Sequence, residues 1–431
     1  MKKMFVLLGL LLLCAPAFTG GQQEAEVNET VTLTVWDFKY GEVETTGPVM
    51  KEIDELFMDQ NPGIIINHVA QPSAEAYYNL IRTAAASGRG PDLFMTHGGS
   101  SSWEFEEVQV KLDELVTSWR DQISEASWQF AATDGDLSKG IRQVPLTSQG
   151  FGIYYNKELF AKAGLDPDNP PREWDDFKSA CTALKDAGIV PIMMPNTPTI
   201  ATEWTQRFLS LNFYDNDDIK GFVDGTAQFT DPEMKIVAQS LKEIMDSDWI
   251  GEADKSLHMF KEGMPTFKEG GAAMIVGLLS DIVCWKDYSD ALGKDNVGYF
   301  PNINLPENKY DDVQLFQPVG IGYSIASWSE NVDAAAKYLE FYSAGDGAFI
   351  FASKLGALVP NVNLDLSSSG YGAFSDVQAA LSNVSSDYAT IVGKAGSDHG
   401  KYMELFYNID EINIDEYLAN LQKSVIENYM E

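Results

Sequence analysis

The segment SQGFGIYYNKELFAKAGL, residues 148–165, joins two local patterns that decide how the chain is organised. The run FGIYY has the aromatic and β-branched character of a buried strand, and NKELFAKAG is typical of a short helix that ends at Gly164. Ser148, Gln149 and Gly150 line the start of the strand. We therefore expect a strand that crosses between two parts of the molecule, with polar residues at the point of crossing.

Strands and helices alternate in the sequence before this segment. TVTLTVWDF (30–38), IIINHVA (64–70) and PDLFMT (91–96) are predicted strands, and an amphipathic helical stretch follows each of the first two. This βαβαβ order predicts a parallel, right-handed sheet covered by helices.

The segments that follow the first and third strands are candidates for a ligand site, because ligands of open α/β sheets bind beyond the carboxyl ends of the strands. The candidates by position are Trp36, Asp37, His97, Gly98, Gly99, Ser100 and Trp103. Gly98 and Gly99 permit a close approach of the backbone. Packing inside the protein is an equally good explanation for the two tryptophans, because large aromatic side chains are usually partly buried.

The composition indicates a large, acidic, globular protein. The chain has 431 residues, of which 45% are apolar and 12% aromatic, so it should fold into at least two domains. Its formal charge of −34 becomes −36 without Lys2 and Lys3. A negative charge of this size repels nucleic acid and anionic membrane surfaces, and we expect neither as a partner.

The amino-terminal residues resemble an export signal. A basic start, the apolar run 4–13 and small residues around Ala15 and Ala17 predict a signal peptide over 1–19, followed by a flexible leader over 20–29. Cleavage by an ordinary signal peptidase is favoured over lipid attachment at Cys14, since Leu13 stands where lipoprotein signals usually have a small residue. We expect a periplasmic or cell-surface location.

The sequence contains few groups that suggest cofactor or metal chemistry. Cys181 and Cys284 are too few for a disulfide scaffold and are interpreted as small buried residues. The four histidines have no metal-ligand spacing, and no phosphate loop, nucleophile elbow or zinc-helix motif is present. We expect no metal, no cofactor and no enzymatic activity.

Seven segments occur in the order of a known family. They are NPGIIINHV, AAASGRGPDLFM, QVPLTSQGFGIYYNKELFAKAGL, PPREWDDFKSACTALKDAG, FKEGGAAMIVG, VGIGYSIASWSENVDAAAKYLEFY and KLGALVPN. Together they resemble the maltose-binding-like, family 1 extracellular solute-binding proteins, which serve bacterial ABC importers. The resemblance extends from about residue 30 to about 428.

The resemblance implies a two-lobed α/β fold of the periplasmic-binding-protein type, with type II-like topology. Each lobe would have a mainly parallel sheet flanked by helices, and hinge strands would cross between the lobes, which close on a ligand. Residues 30–146 and 297–350 are expected in the first lobe, and residues 147–296 and 351–431 in the second. The quoted segment around Gln149 would be the first crossing.

The resemblance also implies a set of ligand-contacting positions. Carried over to this sequence, they are Trp36, Asp37, His97, Gln149, Glu203, Trp204, Gly277 and Asp281, with Gly98 added by its place after the third strand. Many members have an aromatic residue just after the glycine that corresponds to Gly277, whereas this chain has Leu278 and Leu279. Trp204 or Trp285 would then provide the stacking surface of the second lobe.

These residue types fit a sugar, whose C–H faces pack on aromatic rings and whose hydroxyls need planar donors and acceptors. We expect a monomeric receptor that delivers a mono- or oligosaccharide to the permease subunits of an ABC transporter. The acids Asp37, Glu203 and Asp281 would equally suit a polyamine or another cation. A secreted glycoside hydrolase is a remote alternative, since it needs two carboxylates that flank a cleft.

Overall fold

The computed structural model describes residues 30–42, 46–71, 74–197, 199–252, 254–279, 283–364 and 371–430. The expected signal peptide, the leader and the candidate Asp281 lie outside these residues.

The strands are β1 Val31–Asp37, β2 Ile64–Ala70, β3 Leu93–His97, β4 Val144–Pro145, β5 Gln149–Asn156, β6 Ile192–Met193, β7 Met274–Leu278, β8 Val297–Phe300, β9 Gln314–Gln317, β10 Ile321–Ile325 and β11 Val384–Ser385. The α-helices are α1 Thr46–Gln60, α2 Ala74–Ser87, α3 Ser100–Trp103, α4 Glu125–Ala131, α5 Lys157–Lys162, α6 Trp174–Asp186, α7 Ile200–Ser210, α8 Gly221–Asp224, α9 Pro232–Asp246, α10 Met264–Lys268, α11 Cys284–Leu292, α12 Val332–Ser343, α13 Asp346–Leu355, α14 Gly372–Ala380, α15 Gly396–Met403 and α16 Ile414–Val425.

The first lobe is built on a five-stranded sheet in the order β2-β1-β3-β10-β4. β1 runs parallel to β2 and β3, as the βαβαβ order predicts, and β10 runs antiparallel to β3 and β4. Leu33, Val35 and Asp37 alternate along β1 and are all buried, so one face of this strand points into the lobe.

The second lobe is built on a six-stranded sheet in the order β11-β9-β5-β7-β6, in which β8 also pairs with β5. β5 runs antiparallel to β7, β8 and β9, whereas the β6–β7 and β9–β11 pairs are parallel. This sheet is mixed rather than mainly parallel, because the central strand β5 is antiparallel to three of its neighbours.

The opening segment folds as its sequence predicts. β5 ends at Asn156, whose side chain accepts a hydrogen bond from the backbone N–H of Leu159 and caps α5. Gly164 follows α5 with a φ of 78°, the left-handed conformation that glycine adopts without strain. Strand and helix are thus separated by one capping residue.

Three segments cross between the sheets and are hydrogen-bonded to one another. Residues 146–148 join β4 to β5, residues 318–320 join β9 to β10, and a third segment follows α13. Gly320 N–H donates to the carbonyl of Thr147, and Ser148 N–H donates to the carbonyl of Leu358. These contacts form the hinge between the lobes.

The lobe boundaries differ from the sequence prediction in two places. β8 and β9 pair with β5, so residues 297–317 belong to the second sheet and not to the first lobe. α13 packs on α1, and Val362 N–H donates to the carbonyl of Gln122, so the first lobe extends past residue 351. Strand partners come from distant parts of the chain, and local periodicity does not specify them.

Helix α6 buries one stripe of its surface. Trp174, Phe177, Cys181 and Leu184 of α6 are all buried. Cys181 and Cys284 are both buried, and burial raises the pKa of Cys181. Both cysteines therefore pack as small apolar side chains.

Candidate functional site

The two lobes meet where segment 98–102 of the first lobe contacts segment 390–395 of the second. α3 packs against the turn around Gly393, and a Cβ atom at Gly393 would lie 1.9 Å from the Oγ of Ser100. On the second lobe, the side-chain amide of Gln317 donates to the Oγ1 of Thr390 at 2.9 Å.

Asp37 ends β1 and holds the loop that follows it. The carboxylate is completely buried. Its Oδ1 accepts the backbone N–H groups of Lys39 and Tyr40 at 2.7 and 2.6 Å, and its Oδ2 contacts His68 Nε2 and the hydroxyl of Tyr323. Both oxygens are occupied, so Asp37 positions the loop and is not available for a direct ligand contact, in contrast to the sequence prediction.

His68 is clamped between two buried carboxylates. Its Nδ1 lies 2.9 Å from Asp54, which also accepts the hydroxyl of Tyr338 at 2.5 Å. The ring of Tyr40 stacks on His68 with 4.0 Å between centroids. Burial alone would lower the pKa of His68, but Asp37 and Asp54 raise it to about 9. For Asp37 the two effects are reversed. Burial raises the pKa of its carboxyl group, but the nearby His68 outweighs burial and holds this pKa below its usual value.

His97 ends β3 within a group of aromatic rings. It stacks on Phe38 at 5.0 Å, and its Nδ1 lies 2.9 Å from the hydroxyl of Tyr78. The same hydroxyl accepts the backbone N–H of His97, so it donates its own proton to Nδ1. Trp36, on β1, is half-buried. A Cβ at Gly98 would lie 2.5 Å from the carbonyl of Val319, so this position requires a glycine for close packing.

α7 supplies the second lobe's side of the boundary. Trp204 stacks on Phe151 at 4.7 Å and 15°, and the guanidinium of Arg207 lies 4.8 Å from the same ring. Arg207 donates to Asp387 through Nε at 2.5 Å and through Nη2 at 3.4 Å. Trp204 is only 7% exposed, so the ring that the sequence predicts as a stacking surface mainly packs inside the lobe.

Glu203 precedes Trp204 and keeps part of its side chain accessible. Its Oε1 lies 3.5 Å from Nη1 of Arg207, and 46% of its side-chain surface is exposed. Desolvation by the surrounding protein nevertheless raises the pKa of Glu203, and Arg207 offsets part of that effect.

Gln149, Gly277 and Trp285 have three different environments. Gln149 is half-buried at the crossing and pairs with Gln317. Gly277 is buried next to the ring of Tyr154 and the Sγ of Cys284. Trp285 is only 1% exposed and packs on Phe374 at 4.7 Å. Trp285 therefore belongs to the packing of α11 on α14, and the sequence prediction that it offers a stacking surface is wrong.

Several residues near the boundary were not among the sequence candidates. They are Lys39, Tyr40, Phe151, Arg207, Phe260, Asp387 and His399. Phe260 is 37% exposed and contacts Trp204 edge to face at 6.0 Å, so it offers the accessible ring that Trp204 does not. Arg207 has one local signal in the sequence, because it stands four residues after Glu203 on a helix. Asp387 and His399 have none.

Two cavities lie in the second lobe, one far from the lobe boundary and one next to it. A cavity of about 450 Å³ lies at the far end of β5, around Tyr155. Its cations are already paired, Arg172 with Asp312 and Lys157 with Asp168. A cavity of about 40 Å³ lies between α7 and segment 388–403, next to Glu203 and Gly393. We place the candidate solute site at the second cavity, because Gly393 contacts the first lobe.

The described ranges contain neither a candidate metal site nor a candidate membrane span. No group of three or more His, Cys, Asp or Glu side chains in these ranges could hold a metal ion. No helix there combines the length and apolar character that crossing a bilayer requires.

Two α/β lobes, joined by three crossing segments with polar and aromatic groups where they meet, define a two-lobed solute-binding protein fold. The profile of the bacterial extracellular solute-binding protein family matches residues 42–347, and the chain belongs to this family.

Solved structures of similar fold cover nearly the whole chain. A chitin oligosaccharide binding protein superposes with a TM-score of 0.79 at 18% identity, covering 92% of this chain and 99% of that protein. The GacH receptor of Streptomyces glaucescens GLA.O gives 0.74 at 17% identity, covering 93% and 99%. The raffinose complex of RafE gives 0.74 at 15% identity, covering 92% and 99%.

Curated relatives match over shorter stretches. The sn-glycerol-3-phosphate-binding periplasmic protein UgpB of Shigella dysenteriae serotype 1 (strain Sd197) is 26% identical over 254 residues, which are 53% of this chain and 56% of that protein. A putative binding protein of Brucella abortus (strain 2308) is 27% identical over 144 residues, 33% of this chain and 34% of its own length. The chain thus spans about a third to just over half of these relatives.

Proposed function

We propose that this protein is an extracytoplasmic receptor that captures a carbohydrate between its two lobes and delivers it to the membrane subunits of an ABC importer. The observation that carries the proposal is an accessible ring, Phe260, which contacts Trp204 of α7, the residue that follows the partly exposed carboxylate of Glu203. An aromatic face and planar hydrogen-bonding groups are the two features that pyranose rings need.

The names of similar proteins support this substrate class. Proteins that bind a chitin oligosaccharide or raffinose share the fold over more than nine-tenths of this chain. UgpB, which binds sn-glycerol 3-phosphate, indicates that a phosphorylated polyol belongs in any screen.

The local charges argue against a cationic solute. Both oxygens of Asp37 are occupied by hydrogen bonds within the protein, and Glu203 lies beside the guanidinium of Arg207. A polyamine would therefore reach Glu203 but not the carboxylate of Asp37, which removes one of its two candidate charge partners among the described residues. The same occupation of Asp37 removes it as one of the two free carboxylates that a glycoside hydrolase requires, which favours binding without turnover.

The amino-terminal signal bears on whether the receptor is released or anchored after export. We favour an exported monomer released by cleavage of the signal over 1–19, with lipid attachment at Cys14 as the alternative. Fractionation of expressing cells tests this directly, because a pool that is extracted only by detergent would establish the lipid-anchored form.

A ligand screen tests the carbohydrate proposal. Protein stripped of ligand by unfolding and refolding is scanned for thermal stability with malto-, xylo- and chito-oligosaccharides, raffinose, uronates, sn-glycerol 3-phosphate, putrescine and spermidine. A carbohydrate at 100 times its Kd should stabilise the folded state by about 2.7 kcal/mol. Stabilisation by a polyamine alone would overturn the substrate class, and turnover of a chromogenic glycoside by pure protein would overturn the receptor function.

Two phenylalanine variants locate the site within that screen. Phe260→Ala should weaken carbohydrate binding, because it removes the accessible ring beside Trp204. Phe349→Ala is the matched control, since Phe349 is also exposed but lies on α13, which packs on α1 of the first lobe. Equal affinity in both variants would move the site away from Phe260.

A further inference from the structure

His399, on α15, is a buried histidine with one unused ring nitrogen. The residue is 6% exposed, and its ring packs edge to face on Phe229 at 5.1 Å. The backbone carbonyl of Leu421 lies within hydrogen-bond range of the ring, whereas Nε2 has no hydrogen-bond partner among the described residues. A buried polar atom without a partner costs about 1 to 3 kcal/mol, so it needs a reason.

The protonation state of His399 follows from these contacts. Burial lowers its pKa to about 4, so the ring is neutral near pH 7. Because a carbonyl oxygen only accepts, the ring nitrogen that faces Leu421 carries the proton, and Nε2 is left as an acceptor. His399 therefore presents an unused acceptor that lacks a donor.

The cavity at the lobe boundary contains this histidine. His399, Glu203, Arg207 and Tyr388 all line the space of about 40 Å³ between α7 and α15. That volume exceeds the roughly 10–15 Å³ that one water needs, and it suits a single small polar group rather than a whole sugar ring. The partly exposed Glu203 and the boundary residue Gly393 also line the cavity, so it opens toward the meeting of the lobes.

We infer that this cavity is a subsite that takes one hydroxyl group of the bound carbohydrate, with Nε2 of His399 as its hydrogen-bond acceptor. The inference rests on the carbohydrate function proposed above. A hydroxyl group supplies the donor that Nε2 lacks, and it also accepts from other groups. His399 would thus determine which sugar hydroxyl, and which configuration at its carbon, the receptor accepts.

The test compares His399→Phe with the wild type, using raffinose, xylotriose and chitotriose as probes in calorimetric titrations of ligand-stripped protein. Phenylalanine keeps a planar ring against Phe229 and removes the acceptor. We expect a probe that binds the wild type to bind His399→Phe about 10- to 100-fold more weakly. Tyr402→Phe, on the same helix but not lining the cavity, is the control and should bind as the wild type does.

Monodeoxy analogues of the probe that binds identify the hydroxyl. One deoxy analogue should bind the wild type more weakly than the parent sugar by the same factor that His399→Phe loses. That analogue and the parent sugar should bind His399→Phe equally well, a pattern that a general loss of packing would not produce. Equal losses from that analogue in both proteins would overturn the inference.

A second measurement does not depend on a variant. In protein labelled with ¹⁵N-histidine, the Nε2 resonance of His399 should shift on saturation with the probe as its lone pair accepts a hydrogen bond. An unchanged resonance, or full affinity in His399→Phe, would overturn the subsite while leaving the receptor function in place. If none of the three probes binds the wild type, the carbohydrate function fails for them and the subsite fails with it.

Discussion

Arg207 and Asp387 form a two-point ion pair that joins α7 to the segment before the candidate cavity. Nε and Nη2 of Arg207 donate to the two carboxylate oxygens, and Asp387 is completely buried. The guanidinium also lies over Phe151 of the crossing strand β5. One cation thus ties together a helix, a hinge strand and the lobe boundary, and it leaves little free positive charge for an anionic solute.

Arg207→Met should therefore damage stability before it changes specificity. Loss of the guanidinium leaves the Asp387 carboxylate buried without its partner, which costs about 3 to 5 kcal/mol in the free energy of unfolding. Urea denaturation of Arg207→Met, Asp387→Asn and the double variant checks this. The double variant should be more stable than the sum of the two single losses predicts.

An exposed ion pair provides the control for that cycle. Lys354 and Glu52 contact each other with about half of each side chain exposed, and Glu52→Gln should change the free energy of unfolding by less than about 1 kcal/mol. Strict additivity at Arg207 and Asp387 would show that the pair is not coupled.

The charge of His68 should make stability depend on pH in the alkaline range. Its pKa of about 9 lies above the ordinary 6.5, so its contribution is fully present below about pH 6.5 and is lost as the pH rises through 9. The difference corresponds to about 3 kcal/mol. Wild-type protein should lose that much more stability than His68→Gln between pH 6 and pH 10, measured by urea denaturation at each pH.

Comparison with His68→Gln is needed because other groups titrate in the same range. Tyrosine hydroxyls and lysines change charge in both proteins, so only the difference between the two slopes reports on His68. Parallel curves for wild type and His68→Gln would contradict a charged His68.

Gly393→Ala should favour the open arrangement of the lobes. A Cβ at this position would lie 1.9 Å from Oγ and 3.0 Å from Cβ of Ser100 across the boundary. The clash should cost the closed form about 1 to 3 kcal/mol, so carbohydrate binding weakens while the melting temperature changes little. Small-angle scattering with a saturating oligosaccharide should show a larger radius for the variant.

Gly372 and Ser100 supply the controls for this experiment. A Cβ at Gly372 would make only ordinary contacts, at 3.5 Å or more, and Gly372 does not line the candidate cavity, so Gly372→Ala should bind as the wild type does. Ser100→Gly combined with Gly393→Ala should restore affinity, because it removes both clashing atoms. Failure of that rescue would mean that Gly393 acts through its own lobe.

The parts of this fold that sequence patterns predict are those specified locally. The βαβαβ order, the succession of β5 and α5, and the Gly164 stop each follow from neighbouring residues. Membership of β8 and β9 in the second sheet depends on pairing with β5, and the His68 clamp joins Asp37 and Asp54 from separate elements. Such contacts form only in the folded chain, so local periodicity does not reveal them.

The tryptophans show the same difference between local sequence and folded environment. Residue type alone marks Trp204 and Trp285 as stacking surfaces, but the face that a side chain presents depends on which helix covers it. Trp285 is covered by α14, whereas Phe260 stays accessible next to Trp204. We therefore expect Trp285→Ala to lower the free energy of unfolding by about 3 to 5 kcal/mol, because it empties a packed site.

Phe260→Ala should have the opposite profile, because its ring is partly exposed and contributes little to packing. We expect its free energy of unfolding to fall by less than about 1.5 kcal/mol, while carbohydrate affinity falls by the value of one stacking contact, about 0.5 to 1.5 kcal/mol or more. Denaturation and calorimetry on both variants separate the two roles. If folded Trp285→Ala loses affinity and Phe260→Ala does not, the sugar packs on the α11 side of the lobe, and the site proposed beside α7 would have to be abandoned.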